Sequence, residues 1–197
     1  MSARDKILAA IANNQPPFVA APDIDFLKGE ENELTEKFVR VLTAIGGEVY
    51  IVENFDEVKS ILRKKFDTNK RVVTTLTELA EIAELVPLNI ISPHSLNDIE
   101  LAIIKAHFAV AENGSVWVTD DLMRQRVLPF ICQHLAVVVD AENIVPAMHE
   151  AYKKINSAEY GFGTFISGPS KTADIEQSLV LGAHGSRSMS VFLISTV

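Results

Sequence analysis

Cysteine is nearly absent from this chain of 197 residues: Cys132 stands alone. One thiol cannot close an internal disulfide, fill a Cys-rich zinc site or hold an iron–sulfur cluster within the chain. Positive charge is also scarce. Eighteen Lys and Arg face 26 Asp and Glu, for a formal net charge of −8. Such a surface repels nucleic acid and anionic lipid over most of its area. Long apolar runs are missing too; none approaches the roughly 18–20 residues of a membrane span. No apolar amino-terminal run resembles a secretion signal, and a cytoplasmic protein is expected.

Several catalytic and binding patterns are absent as well. There is no Gly-x-x-x-x-Gly-Lys-Ser/Thr phosphate loop, no Gly-x-Gly-x-x-Gly fingerprint and no Gly-x-Ser-x-Gly elbow. The five histidines, His94, His107, His134, His149 and His184, are scattered without a His-x-x-x-His pair. No metal site is expected from that spacing.

What is present is apolar residues at 48%, in short runs. The length suits one good core. Residues 2–14 read as a short helix with Ser2 as N-cap. "QPPFVAAPDID" follows, and its prolines predict an extended arm that packs on a neighbouring domain or subunit, or a plain linker. Residues 1–29 are therefore set apart as helix and arm, and 30–197 as one domain. "LTEKFVRVLTAI", closed by Gly46-Gly47, is a helix. "EVYIV" is a strand, 56–66 a helix, and 71–75 a strand. "LTELAEIAELV" is expected to be helical up to Pro87, with "LNIIS" a strand and 97–104 a helix or turn. "HFAVAEN" and "SVWVTD" suit an antiparallel hairpin around Gly114. "LAVVVD" is a buried strand, and "IVPAMHEAYKKI" starts a helix. This order predicts an α/β fold, an open and mostly parallel sheet with helices on both faces and a short antiparallel hairpin insertion.

The stretch "TFISGPSKTADIEQSLVLGAHGSRSMSVFLISTV" carries the densest signal. Phe162 to Ser167 reads as a strand that Gly168-Pro169 ends. Ser170 or Thr172 is placed to cap a following helix, with Asp174 and Glu176 in its first turn. With a last strand at 189–195, the unit reads as a βαβ crossover. A strand end feeding a helix start is a natural anion site, with Ser170, Lys171 and Thr172 to hand. A helix that merely needs caps explains the same residues. Arg187 is expected at the far end of the crossover.

Glu112 is the second candidate. A carboxylate between an apolar run and a glycine bend suits a nucleophile or base; Glu-Asn-Gly is also ideal turn composition. His184 gains from a helix C-terminus in either case. Cys132 and His134 would share a face if both lay in a strand, although a buried inert thiol explains Cys132 equally.

The residues from Ser167 to Glu176, with Leu181, Gly182, His184, Gly185 and Arg187, resemble the C-terminal signature of the lactate utilization protein C family, also called the LUD or YkgG-like domain. Ala183 and Ser186 replace the commoner valine and proline. "AVAENGSVWV" is similar to that family's Ile-Ala-Glu-Thr-Gly-Thr-Leu stretch, with Asn113 in place of threonine. "RVLPFICQHLAVVVD" resembles another of its segments. The resemblance covers roughly residues 30–197. It implies a relative of the NagB/RpiA/CoA-transferase-like fold. It also implies a component of an L-lactate utilization system, oxidising lactate to pyruvate with iron–sulfur partner subunits. The clusters are expected on those partners and no cofactor on this chain; a homo-oligomer is compatible. The alternatives are a stand-alone enzyme acting on a phosphorylated or acyl-CoA substrate and a small-anion-binding regulatory domain. The residues so implicated are Glu112 and His184 for chemistry, and Gly168, Ser170, Lys171, Thr172, Asp174 and Arg187 for ligand binding. "AENG" is also similar to the Ser-Glu-Asn-Gly context of CoA transferases.

Overall fold

The computed structural model describes residues 2–20, 22–24, 26, 32–67, 69–88, 92–156, 158–175 and 178–195; the side chains of 173–175 and 178–179 lie outside that description. In chain order the elements are α1 (Ala3–Asn13), α2 (Leu34–Ala44), β1 (Glu48–Val52), α3 (Phe55–Lys65), β2 (Val72–Thr74) and β3 (Glu84–Leu85). Then come β4 (Leu101–Lys105), β5 (Phe108–Val110), β6 (Ser115–Thr119), α4 (Asp120–Met123), α5 (Leu128–Ile131) and β7 (His134–Asp140). The chain continues with β8 (Ile144–Val145), α6 (Met148–Ile155), β9 (Gly163–Ile166), β10 (Lys171–Ile175), β11 (Ser178–Leu181) and β12 (Ser188–Ile194).

Among the described residues the strands form three sheets. The largest has the order β1-β12-β7-β4-β2-β3, and every neighbouring pair is parallel. Both of its faces are covered, which is why its strands read as unbroken apolar runs. Leu101, Ile103, Ala136, Val138 and Phe192 pack with Val58 and Leu62 of α3 on one face. Ala102, Ile104, Leu135, Val137, Val191 and Leu193 pack on the other with Phe38 and Leu42 of α2. The second sheet, β8-β5-β6-β9, lies on that second side and lends Ala109, Val116 and Val118 to the same core. Its outer face carries Phe108, Val110 and Trp117, which α6 covers with Ala151 and Ile155. The third sheet is the hairpin β10–β11.

The helix ends follow their sequence signals. Ser2 and Asp5 form a capping box on α1, whose Ile7, Leu8 and Ile11 are all exposed. The Asn54 side chain accepts from the amides of Asp56 and Glu57 to start α3. Gly46, at φ +88°, turns the chain out of α2; its amide reaches Thr43 O, and Gly47 N reaches Leu42 O. That is the paired C-terminal bonding a glycine permits.

Three expectations are corrected. Residues 76–86 make only a 3-10 turn at Thr77–Leu79 before β3 pairs with β2. The helix propensity of this stretch loses to tertiary partners: Arg71 clamps the Glu84 carboxylate with two 3.1 Å bonds, and Val86 N bonds Thr74 O. Residues 97–104 contain β4, a central strand rather than a helix or turn. Its Ile103 and Ile104 are stiff at χ1 and both faces are buried. Finally, 171–181 is a β-hairpin and not a helix, so the βαβ crossover is absent: β9 belongs to the second sheet, while β12 enters the first. The reason lies at the hairpin base. Ser170 N donates to Ser186 O at 2.8 Å, and Gly182 N to Ser170 O at 3.0 Å. An eleven-residue helix is about 16 Å long and would hold those ends apart. Of the expected strand "LNIIS", residues 89–91 lie outside the described residues, as does Glu176.

Candidate functional site

The signature residues gather where the hairpin base meets α2 and the β5–β6 turn. Gly168, at φ +73°, turns out of β9 against Ile45; a Cβ there would lie 3.3 Å from the Ile45 side chain and carbonyl oxygen. The Ser167 hydroxyl donates to Asn113 O at 2.7 Å. The Lys171 ammonium donates to the carbonyl oxygen of Ile45, the residue that closes α2. Ser170 packs on Gly185, where an added Cβ would lie 3.2 Å from the Ser170 Cβ. Arg187 therefore does not stand at the far end of a crossover: its side chain covers Gly182, and its amide donates to Gln133 O at 2.8 Å. Thr172 pairs with Val180 in the hairpin. Asp174 lies on β10 and its side chain is outside the described residues.

The helix start that motivated an anion site is thus missing, and the amides of Ser170, Gly182 and Arg187 are engaged with carbonyls. The cations on this face are Lys171, turned to a helix C-terminus, and exposed Arg187. Glu112 is exposed and is engaged with α6. Its Oε2 accepts from Met148 N at 2.8 Å, capping α6, whose N-cap Ala147 has no side chain able to do so. His184 is exposed and borders a shallow cavity of about 380 Å³ with Phe130, Cys132 and Gln133. Burial pushes the Cys132 thiol up to about 12. Cys132 ends α5 and precedes β7, so the Cys132–His134 pairing on one strand does not occur. His134 opens β7 and bonds Ser188 through Nδ1 at 2.7 Å. Burial holds its pKa below the ordinary value; Arg187, Lys65 and Lys70 act in the same sense and Glu100 against it.

Sequence reasoning missed a second site. At the opposite end of β5–β6, the Thr119 hydroxyl donates to Asp121 Oδ1, and His107 Nε2 lies 2.5 Å from Thr119 Oγ1. With its only hydrogen given to the carboxylate, Thr119 accepts from the imidazole. These residues floor a cleft of about 590 Å³ walled by Phe108, Trp117 and Tyr160. The hairpin register held the clue: Phe108 opposes Trp117, which brings His107 level with the strand end.

Residues 93–194 match the LUD domain. The chain belongs to the LUD domain family. Curated relatives of this LUD chain include Lactate utilization protein C 1 of Bacillus mycoides (strain KBAB4), 34% identical over 92 residues, or 44% of this chain and 39% of that protein. Lactate utilization protein C of Bacillus pumilus (strain SAFR-032) is 32% identical over 90 residues, covering 43% of this chain and 38% of that one. These matches span well under half of the relatives' length. Lactate utilization protein C of Anoxybacillus flavithermus (strain DSM 21510 / WK1) is 27% identical over 165 residues, 81% of this chain and 69% of that protein. Among solved structures, a duf162 family protein from Deinococcus radiodurans superposes with a TM-score of 0.62 at 15% identity, covering 84% of this LUD chain and 98% of that one. That likeness concerns the fold.

Proposed function

We propose that this chain is a component of an L-lactate utilization system, acting with iron–sulfur partner subunits in the oxidation of lactate to pyruvate. The observation that carries the reading is the LUD domain match over residues 93–194, with relatives named Lactate utilization protein C. One cysteine cannot supply the several thiolates that an iron–sulfur cluster takes, which supports placing the clusters on the partners. Among the described residues no helix is long and apolar enough to cross a membrane. We assign the architecture to the NagB/RpiA/CoA-transferase-like group and the setting to the cytoplasm. Residues 30–197 form the LUD-like domain and 1–29 the helix and arm. The hairpin base, with Ser170, Lys171 and Arg187, is the part we assign to recognition of a small anion or of the partners.

The test has two arms. Deleting the gene should abolish growth on L-lactate, and a tagged chain from lactate-grown cells should co-purify with proteins containing iron and acid-labile sulfide. Unimpaired growth together with isolation of the chain alone overturns the proposal.

A further inference from the structure

The cleft at the far end of the second sheet lies apart from the signature residues. Strand β6 runs from Ser115, beside the Glu112–Gly114 turn, to Thr119, a rise of roughly 13 Å for four steps. In β9, which pairs antiparallel with β6, Gly163 opposes Thr119, and the Ser167-Gly168 turn lies at the other end. The signature therefore occupies one end of the sheet and the cleft the other.

The other end is built as follows. Ser115, Trp117 and Thr119 share one face of β6 by strand alternation. Helix α6 covers the middle of that face with Ala151 and Ile155. It ends before the strand does, and the chain returns over the gap as Ala158, Glu159, Tyr160 and Gly161 to reach β9. Close approaches hold this return segment in place. A Cβ on Gly161 would lie 2.7 Å from Asp120 Oδ2 and 2.8 Å from Arg126 Nη2, and one on Gly163 would lie 2.5 Å from the Trp117 ring. Tyr160 meets Trp117 edge to face at 5.5 Å and remains partly exposed. The result is a cleft of about 590 Å³, with aromatic walls and a polar floor. That size and lining suit a small organic ligand.

The charges decide its sign. Asp120 is paired with Arg126 at 2.8 Å, which holds its carboxyl below the ordinary range. Asp121 has one oxygen bonded by Thr119, and its side chain is 66% exposed. The His107 imidazole, at 3.9 Å, is charged only when protonated. Glu159 has no ion pair among the described residues and lines the same cleft. Lys154 is held by Asn143 Oδ1 at 3.2 Å and lies over the Phe108 ring. Among the described residues, Asp121 and Glu159 thus line the cleft with no Lys or Arg in ion-pair contact, beside a half-exposed tyrosine ring; Lys154, the cation in the lining, is bonded to Asn143 instead. Carboxylates with aromatic faces recognise ammonium groups, by charge and by the ring quadrupole.

We propose that this cleft binds a small organic ammonium compound with an apolar body. Its cationic group sits against Asp121 and Glu159, and its body against Tyr160 and the edge of Trp117. The site is independent of the lactate-utilization reading.

Trp117 is the sole tryptophan of the chain, so its fluorescence reports on this cleft alone. Benzylammonium chloride, benzyl alcohol and sodium benzoate are titrated against the full chain, with amide NMR shifts followed in parallel. Benzylammonium is expected to saturate at millimolar concentration, the alcohol to bind more weakly, and benzoate most weakly. Asp121→Asn keeps an acceptor for Thr119 and removes the charge, so affinity should fall about tenfold. Glu159→Gln, on an exposed segment that cannot unfold the sheet, should weaken binding in the same direction. Preference for benzoate, unchanged affinity in both variants, or no saturable response in either signal up to roughly 10 mM overturns the proposal.

Discussion

The ammonium of Lys171 caps helix α2 by donating to the carbonyl oxygen of Ile45, 126 residues earlier in the chain. A cation at a helix C-terminus meets the negative end of the macrodipole and satisfies a carbonyl that has no partner within the helix. Lys171→Met should lower stability by about 0.3–1 kcal/mol, measured by urea denaturation, with the loss shrinking at high salt. A Lys171 that served only a soluble ligand would leave stability in the absence of that ligand unchanged.

Glu112 separates a structural role from a chemical one. Glu112→Ala removes the acceptor for Met148 N and should cost about 1 kcal/mol, as loss of a helix cap does. Glu112→Gln retains an oxygen acceptor and should recover most of that stability. Complementation of a deletion strain on L-lactate by the Gln variant, with normal thermal stability, would mark Glu112 as a capping residue. Loss of growth at full stability would mark its charge as chemical.

Gly114 should not tolerate a side chain. Its φ is +67°, and a Cβ would come to 3.0 Å from the backbone of Leu42, a buried residue of α2. Gly114→Ala combines left-handed strain with a backbone clash and should cost more than about 1 kcal/mol. Equilibrium unfolding measures this, and a near-neutral result would mean that α2 and the β5–β6 turn separate easily.

His134 makes stability depend on pH. Its folded pKa is depressed, by burial first, so the unfolded chain binds the proton more readily. The stabilising contribution is fully present above the ordinary histidine value of about 6.5 and is lost as pH falls from there through the folded value. The midpoint of urea unfolding should therefore fall between pH 7.5 and 5.5, and His134→Asn should flatten that slope. An equal slope in both proteins would remove His134 as its source.

Cys132 is buried and its thiol is pushed up to about 12, so almost no thiolate exists at neutral pH. The native protein should react with a disulfide reagent at pH 8 only as fast as it opens, with full reaction in denaturant. Immediate stoichiometric labelling of folded protein would contradict this burial.

Much of the fold was legible because local and global preferences agree there. The runs that became β1, β7 and β12 are apolar and β-branched, and α3 carries its acidic and basic ends in dipole order. The β5–β6 hairpin was marked by its Glu-Asn-Gly centre. Residues 76–86 and 171–181 were misread because their conformations depend on distant partners: Arg71 for Glu84, and Ser186 for Ser170. Leu-Val-Leu at 179–181 fits either period, and no local pattern records a hydrogen bond at the hairpin base. The signature marked the loops around 167–187 and not their neighbours, since Ile45 and Asn113 come from segments far away in sequence. His107, Thr119 and Asp121 form no motif and converge only through strand register.

The position of β12 has a consequence for biosynthesis. It lies between β1 and β7, yet it is the last of the described strands to be made. On a growing chain β1 therefore waits as an unpaired parallel edge while nearly everything else is translated. The sheet cannot be annealed stepwise from one side; it closes when a late strand slots into a gap already flanked. Non-local parallel pairing of this kind is slow and leaves edges open to other chains. A premature stop before Ser188 would leave β7 as a sheet edge and β1 without a partner strand.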